Sequence, residues 1–249
     1  MAYKMQKYFN VFLEFDHHLL KSTIEEAITN SQKGYVCVVD ANVLTIAQKD
    51  EQFRNVLNGA LINTCDGSSI AMLAGMVHKQ RLRALNGPEI FAYYIEKKYK
   101  QLLLGSDEET SNQIKATLQK NGVDNSHLDV MPLPFEKVED FNYAEIAEKI
   151  NILKPEIIWV SLGAPKQELF IANLIPYLNS GILFAIGAAF NFYIGKIALP
   201  DANVGALKFI WISRIFSEPK KQLSRIMPYL KIIPRLYWQE KRKIRNRNK

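Results

Sequence analysis

Five short clusters of polar and small residues could do chemistry. Asp40 and Asn42 close the apolar run that begins at residue 34. Asp66 and Gly67 follow "ALINTC", and Gly105 and Ser106 follow "QLLL". Gly163, Pro165, Lys166, Gln167 and Glu168 follow "IIWVS", and Gly187 and Asn191 follow "LFAI". A carboxylate at a strand end can take a proton as a general base. A glycine lets a phosphate approach the backbone, and the helix that follows offers unpaired N–H groups. The set fits a nucleotide or phosphosugar site. The same Asp and Gly residues also make ordinary turns, and for any single loop the two readings weigh about equally.

For the clusters to meet, each must sit at the carboxyl end of a parallel strand. The hydrophobic pattern supplies such strands at 34–42, 60–65, 101–106, 128–134, 156–165 and 181–190. Helical periodicity falls between them: "VLTIAQKDEQFRNVLN" reads as one helix, and others run over 68–79, 87–100, 112–122, 143–155 and 166–178. Nearly continuous apolar strands alternating with helices predict an α/β fold. The expected architecture is a Rossmann-like, mostly parallel sheet with helices on both faces, plus a small basic helical appendage at the C-terminal end.

The totals narrow the class. The chain has 249 residues, 48% of them hydrophobic and 23% charged, which excludes wholesale disorder. The two cysteines, Cys37 and Cys65, read as small buried residues of a reduced, cytosolic protein. The opening "MAYKMQKYFN" lacks the apolar core of a signal peptide, and no apolar run is long enough to span a membrane. No dinucleotide G-x-G-x-x-G, Walker A or G-x-S-x-G sequence occurs. His17, His18, His78 and His127 lack metal-ligand spacing, and no metal is expected.

Charge divides the chain. Residues 207–249 carry 13 Lys/Arg against 2 Asp/Glu, whereas the first 206 carry 19 against 23. This predicts a body over 1–205 and a basic, amphipathic appendage over 206–249 that seeks an anionic partner. Leu223, Met227, Leu230 and Tyr237 roughly share a helical face. Pro219, Pro228 and Pro234 predict short helices joined at prolines rather than one rod. Trp211 is expected to pack the appendage on the body. Tyr229, Tyr237 and Trp238 among basic residues suit either stacked bases or a membrane interface.

Taken in order, "CDGSSI", "NGPEIF", "LLLGS", "SLGAPKQELF", "AIGAAFNFYIGKIALP" and "WISRIFSEPKKQLSR" resemble the WecG/TagA/CpsF family of bacterial glycosyltransferases. The resemblance runs from about residue 34 to about 230. It implies transfer of a hexose-type sugar from a UDP-sugar to a polyprenyl-diphosphate-linked saccharide, with inversion and with no metal or other cofactor. It also implies attachment to the inner face of the cytoplasmic membrane, self-association, and products that feed cell-surface polysaccharide. By the same resemblance Asp66 is the base, and Asn42 and Gln167 match site residues. Arg214, Lys221 and Arg225 match cations of the appendage. Donor contacts are expected from Gly105, Ser106, Gly163, Pro165, Gln167, Glu168, Gly187 and Asn191.

Physical chemistry agrees with these roles. An inverting transfer needs a base on the acceptor hydroxyl and positive groups on the departing diphosphate. Asp40 stands where many relatives have Thr. If it faces Asp66, the two carboxylates compete for one proton, so Asp40 is a candidate partner in the base role. Two readings compete with transfer: an inactive scaffold of polysaccharide assembly, and a nucleic-acid binder using the basic appendage. The second predicts binding that falls steeply with salt and ignores UDP.

Overall fold

The computed structural model describes residues 6–197, 203–204, 207–208 and 219–247, with backbone alone for 203–204, 207–208, 219–226 and 247. A hairpin comes first, β1 (Lys7–Tyr8) and β2 (Val11–Phe12), turning through Phe9 and Asn10. Both turn residues have positive φ, the requirement of a tight two-residue hairpin turn. Helix α1 (His17–Thr29) follows, capped by Asp16, which accepts the N–H groups of His18 and Leu19. Neither element was anticipated from the pattern. Two-residue strands have no periodicity to see, although Leu20, Ile24, Ala27 and Ile28 do trace one buried helical face.

Strand β3 (Lys33–Val39) leads to α2 (Ala41–Lys49) and α3 (Glu51–Asn58), then β4 (Ile62–Cys65). The single helix expected over 43–58 is two, because Asp50 is extended and its carboxylate caps Phe53 N–H. Helices α4 (Ser68–His78) and α5 (Gly87–Ile95) cross to β5 (Gln101–Leu104). Then come α6 (Glu108–Lys120), β6 (Leu128–Met131), α7 (Tyr143–Leu153) and β7 (Ile157–Val160). Helix α8 (Lys166–Leu174), β8 (Gly181–Ala185) and the short α9 (Ala189–Tyr193) complete this part. The strand expected to reach residue 190 stops at 185, and Gly187, at φ +54°, turns the chain into α9. A small antiparallel pair, β9 (Asn203–Val204) and β10 (Leu207–Lys208), precedes α10 (Pro219–Arg247).

The main sheet has six strands in the order β4-β3-β8-β7-β5-β6, every neighbouring pair parallel. Alternate residues of each strand enter two separate cores. Cys37, Val39, Leu104, Val160 and Ala185 pack with α2, α3, α4, α7, α8 and α10. Val36, Val38, Leu103, Trp159 and Phe184 pack with α1, α5, α6 and α9. Burial on both faces is why the strands read as continuous apolar runs. The α/β class, the parallel sheet and its two helical layers are as expected.

The C-terminal helix differs from expectation. Residues 219–247 form one helix with Pro228 and Pro234 inside it, not short pieces. Each internal proline forfeits a backbone hydrogen bond, and docking offsets that loss: Tyr229 and Leu236 are buried in the core shared with α2 and α4. The docked face is therefore Tyr229, Leu236 and Glu240, whereas Met227 and Leu230 remain about half exposed, at 49% and 54%. Trp211, assigned the docking role from sequence, lies outside the described residues.

A buried polar knot holds the far half of α10. One Glu240 oxygen lies 3.3 Å from His78 Nε2 at the end of α4, and the other accepts Phe9 N–H at 3.2 Å. Lys243 Nζ, 3.3 Å away, adds charge compensation. Removing the carboxylate strands a buried N–H and breaks a buried pair. Glu240→Ala is expected to cost about 2–4 kcal/mol. The checks are a lower unfolding temperature and faster tryptic cleavage at the basic residues of 231–245, with the sheet domain still resistant.

Candidate functional site

In the sheet, the carboxyl ends of β3, β8 and β7 are side by side, with β4 at the outer edge. The chain steps the same way from β3 to β4 and from β7 to β8, and the opposite way from β5 to β6, so the winding reverses between β7 and β5. In open α/β sheets ligands sit beyond the carboxyl ends of the strands, the edge that all these residues share.

Asp40 and Asp66 are neighbours there. Val39 pairs with Cys65 in register, so each Asp is the first residue beyond its strand. Asp66 N–H donates to Val39 O at 2.9 Å, which extends the pairing by one bond. Both carboxylates are half-buried. Asp40 caps α2 by accepting Val43 N–H at 2.8 Å. Burial pushes the thiol of Cys65 well up, and the charges of Asp66 and then Asp40 add to that push. Asn42, half-buried, lies in the first turn of α2.

Helix α4 starts immediately after Asp66. Its N-cap is Gly67, at φ +139°, and no side chain caps it among the described residues. Helix α5 starts at the same corner. Leu85 N–H bonds Cys65 O, and the Thr64 hydroxyl bonds Leu85 O, so residues 85–87 lie along β4. Asn86 is the N-cap of α5, buried, and forms no side-chain cap. Of the other helices, α1, α3, α6 and α7 are capped by Asp16, Asp50, Asp107 and Asn142, whereas α8 and α9, like α4 and α5, have no side-chain cap among the described residues. Uncapped N-termini are suited to an anion.

Gln167 ties the loops after β7 and β8. Its Oε1 accepts Gly163 N–H at 3.1 Å and Gly187 N–H at 3.0 Å. The Ser161 hydroxyl bonds Gly187 O at 2.7 Å and closes the same contact. The N–H groups of Gly163 and Gly187 are thus already used, and Gly105 N–H is used by Met131 O. These glycines also shape the loops: Gly105, Gly163 and Gly187 all have positive φ, at +80°, +75° and +54°. A side chain on Gly163 would meet nothing within 4 Å, so its absence keeps that space clear.

Other expected residues are placed less centrally. Gly105 and Ser106 follow β5, four strands from β4, which is about 19 Å at ordinary strand spacing. Ser106 is buried, its hydroxyl on Asp107 O. Lys166 turns away, bonding Glu136 O and lying over the rings of Phe135 and Phe141. Pro165 occupies the N-cap position of α8 without a side-chain cap, and Asn191 is half-buried on α9. Arg214 lies outside the described residues, and of Lys221 and Arg225 only the helical backbone is described. Tyr229, which the sequence suits to stacked bases or a membrane interface, is instead buried beside Ser69 and Cys65, its hydroxyl pushed up to about 12 by burial. Helix α10 thereby reaches the start of α4. Asn86 was overlooked as well, although "NGPEIF" carries a Pro-start helix signal.

Glu168 is wholly buried under this edge. Its Oε1 accepts the Gln167 amide at 3.0 Å, and its Oε2 meets no partner among the described residues. Burial raises its proton affinity to about 7, against the pull of the Gln167 hydrogen bond, and the negative charge of Asp40 adds to the rise.

The family model described as "Glycosyl transferase WecG/TagA/CpsF family" matches residues 11–247. An N-acetylglucosaminyldiphosphoundecaprenol N-acetyl-beta-D-mannosaminyltransferase of Bacillus subtilis (strain 168) is 22% identical over 217 residues, covering 84% of this chain and 81% of its own. A protein of the same name from Bacillus spizizenii (strain ATCC 23059 / NRRL B-14472 / W23) is 20% identical over 205 residues, covering 80% and 78%.

The burial of Glu168 has a testable pH signature. The folded chain holds that proton up to about pH 7, while the unfolded chain releases it near the ordinary value of 4.5. Between those values the folded state binds more protons, so the contribution to stability is full below the window and lost as pH rises through it. Unfolding midpoints of wild type and Glu168→Gln, measured from about pH 5 to about pH 8, are expected to diverge in favour of the variant as pH rises.

Proposed function

Because the chain belongs to the WecG/TagA/CpsF family of glycosyl transferases, we propose that it moves a hexose-type sugar from a UDP-sugar to a polyprenyl-diphosphate-linked saccharide in cell-surface polysaccharide synthesis. The observation that carries this reading is the corner at β4. A half-buried carboxylate, Asp66, stands directly before the uncapped N-terminus of α4, with the uncapped start of α5 beside it. A base and an anion-binding element adjoin, as displacement of a nucleoside diphosphate requires.

In the proposed step Asp66 takes the proton of the acceptor hydroxyl. That oxygen bonds the anomeric carbon from the face opposite the diphosphate. The carbon–oxygen bond to the diphosphate breaks, and its electron pair leaves with UDP. The anomeric centre inverts. Negative charge grows on the leaving phosphate, where the backbone N–H groups at the start of α4 and the cations Arg214, Lys221 and Arg225 are assigned to meet it. No metal has a part in this scheme. Asp40, the first residue beyond the neighbouring strand, is the candidate partner of Asp66 in the base role. Gly163, Gln167, Gly187, Pro165 and Asn191 form the donor side.

The acceptor is carried by a lipid, and the exposed face of α10 suits a membrane surface. Lys231, Arg235, Lys241 and Arg242 are exposed together with Met227, Leu230 and Trp238. Lys49 of α2 joins Lys231 and Arg235 along a groove also lined by Met227 and Ile232. Each cation near an anionic membrane contributes about 1 kcal/mol, so a few hold the protein peripherally on the inner leaflet. No described helix is long and apolar enough to cross a membrane.

Asp66→Asn is the direct test. Sugar transfer from a panel of UDP-sugars to a synthetic polyprenyl-diphosphate saccharide should fall by about 10²–10⁴-fold, with the unfolding temperature and vesicle binding unchanged. Undiminished transfer by the variant removes Asp66 from the base role. Absence of transfer by the wild type across the panel favours a scaffold.

A further inference from the structure

The chemistry proposed above uses Asp66 and the groups that meet the diphosphate, and it leaves the buried Glu168 without a role. We propose that Glu168 is a positioning residue for the donor side of the site: its Oε1 sets which way the Gln167 amide faces, and so holds the loops after β7 and β8 at one spacing. The inference rests on the reading of that side as a nucleotide-sugar cradle.

The argument is one of donors and acceptors. A glutamine amide has an oxygen that accepts and a nitrogen that donates, in nearly the same shape. Two backbone N–H groups, from Gly163 and Gly187, converge on one end of Gln167. Only the oxygen can satisfy both. If the amide were reversed, N–H would face N–H at both loops. What prevents reversal is the other end, where Nε2 finds Glu168 Oε1 at 3.0 Å. That acceptor comes from the next residue of the same helix and is shielded from water, so its geometry is fixed by α8 itself.

Glu168 has no solvent-exposed surface, which leaves it no route to a donor substrate except through Gln167. Among the described residues the ionisable groups facing it are Cys37 of β3 and Asp40 at the start of α2. Neither supplies a positive charge. A second carboxylate charge beside Asp40 would be costly in this setting, and the protonated acid still accepts at its carbonyl oxygen. An amide at position 168 retains that oxygen, and a leucine does not.

The test uses the full chain as wild type, Glu168→Gln and Glu168→Leu. UDP is titrated into each by calorimetry, and hydrogen exchange is followed at the Gly163 and Gly187 amides, with the β5 amides as internal reference. Glu168→Gln should bind UDP as wild type does and keep both glycine amides protected. Glu168→Leu should bind UDP at least about 10-fold more weakly. Its two glycine amides should exchange faster while β5 does not change, a separation that general destabilisation cannot produce. If Glu168→Leu does not fold, Glu168→Asp, whose oxygen is withdrawn by one methylene, takes its place with the same expectation. Wild-type affinity for UDP in the Leu or Asp variant overturns the positioning role, as does unchanged exchange at both glycines. Failure of the wild type to bind UDP overturns the cradle reading instead, and leaves the amide brace to be judged by exchange alone.

Discussion

All six strands of the main sheet point the same way, and the candidate site depends on that constraint. Parallel pairing puts every carboxyl end at one edge, so residues distant in sequence meet without any long-range design of their loops. Asp40 and Asp66 become neighbours because Val39 and Cys65 are in register. Gly163 and Gly187 become neighbours because β7 and β8 pair. A shift of register by one residue in either pair would turn alternate side chains into the wrong core and separate these groups. The apolar residues of the two cores therefore protect the geometry of a site they do not touch.

The polar groups at the edge are organised by what they spend internally. Asp40 gives one oxygen to Val43 N–H. Gln167 gives its oxygen to two glycine N–H groups. The beginnings of α4 and α5, which no described side chain caps, meet Asp66 at one corner, and Tyr229 brings α10 against that same corner. Under the proposed function, a helix lying at this corner with exposed basic residues would link access to the acceptor with the membrane that carries it.

Much of this was legible in the sequence, for identifiable reasons. Strands buried on both faces are near-continuous apolar runs, so β3, β7 and β8 could be found from "YVCVV", "IIWV" and "GILFA". The polar residues just beyond them marked the edge. Strand order was not legible, and it decides that Gly105 and Ser106 lie far from Asp66. Hydrogen-bond direction was not legible either: nothing in the sequence marks Gln167 as the acceptor that ties Gly163 and Gly187 together. The prolines of α10 misled because a local rule was applied where tertiary burial of Tyr229 and Leu236 outweighs it. Glu240 was hidden because its partners, Phe9 and His78, lie 231 and 162 residues away.

That last separation bears on how the molecule is made. The Phe9–Glu240 bond closes a loop of almost the entire chain, and entropy makes such contacts late ones. During synthesis the hairpin at residues 7–12 waits beside the sheet with one face uncovered until α10 emerges. The early polypeptide is then complete in its sheet yet still sticky at this margin, and its exposure to chaperones and proteases ends only when the last helix arrives.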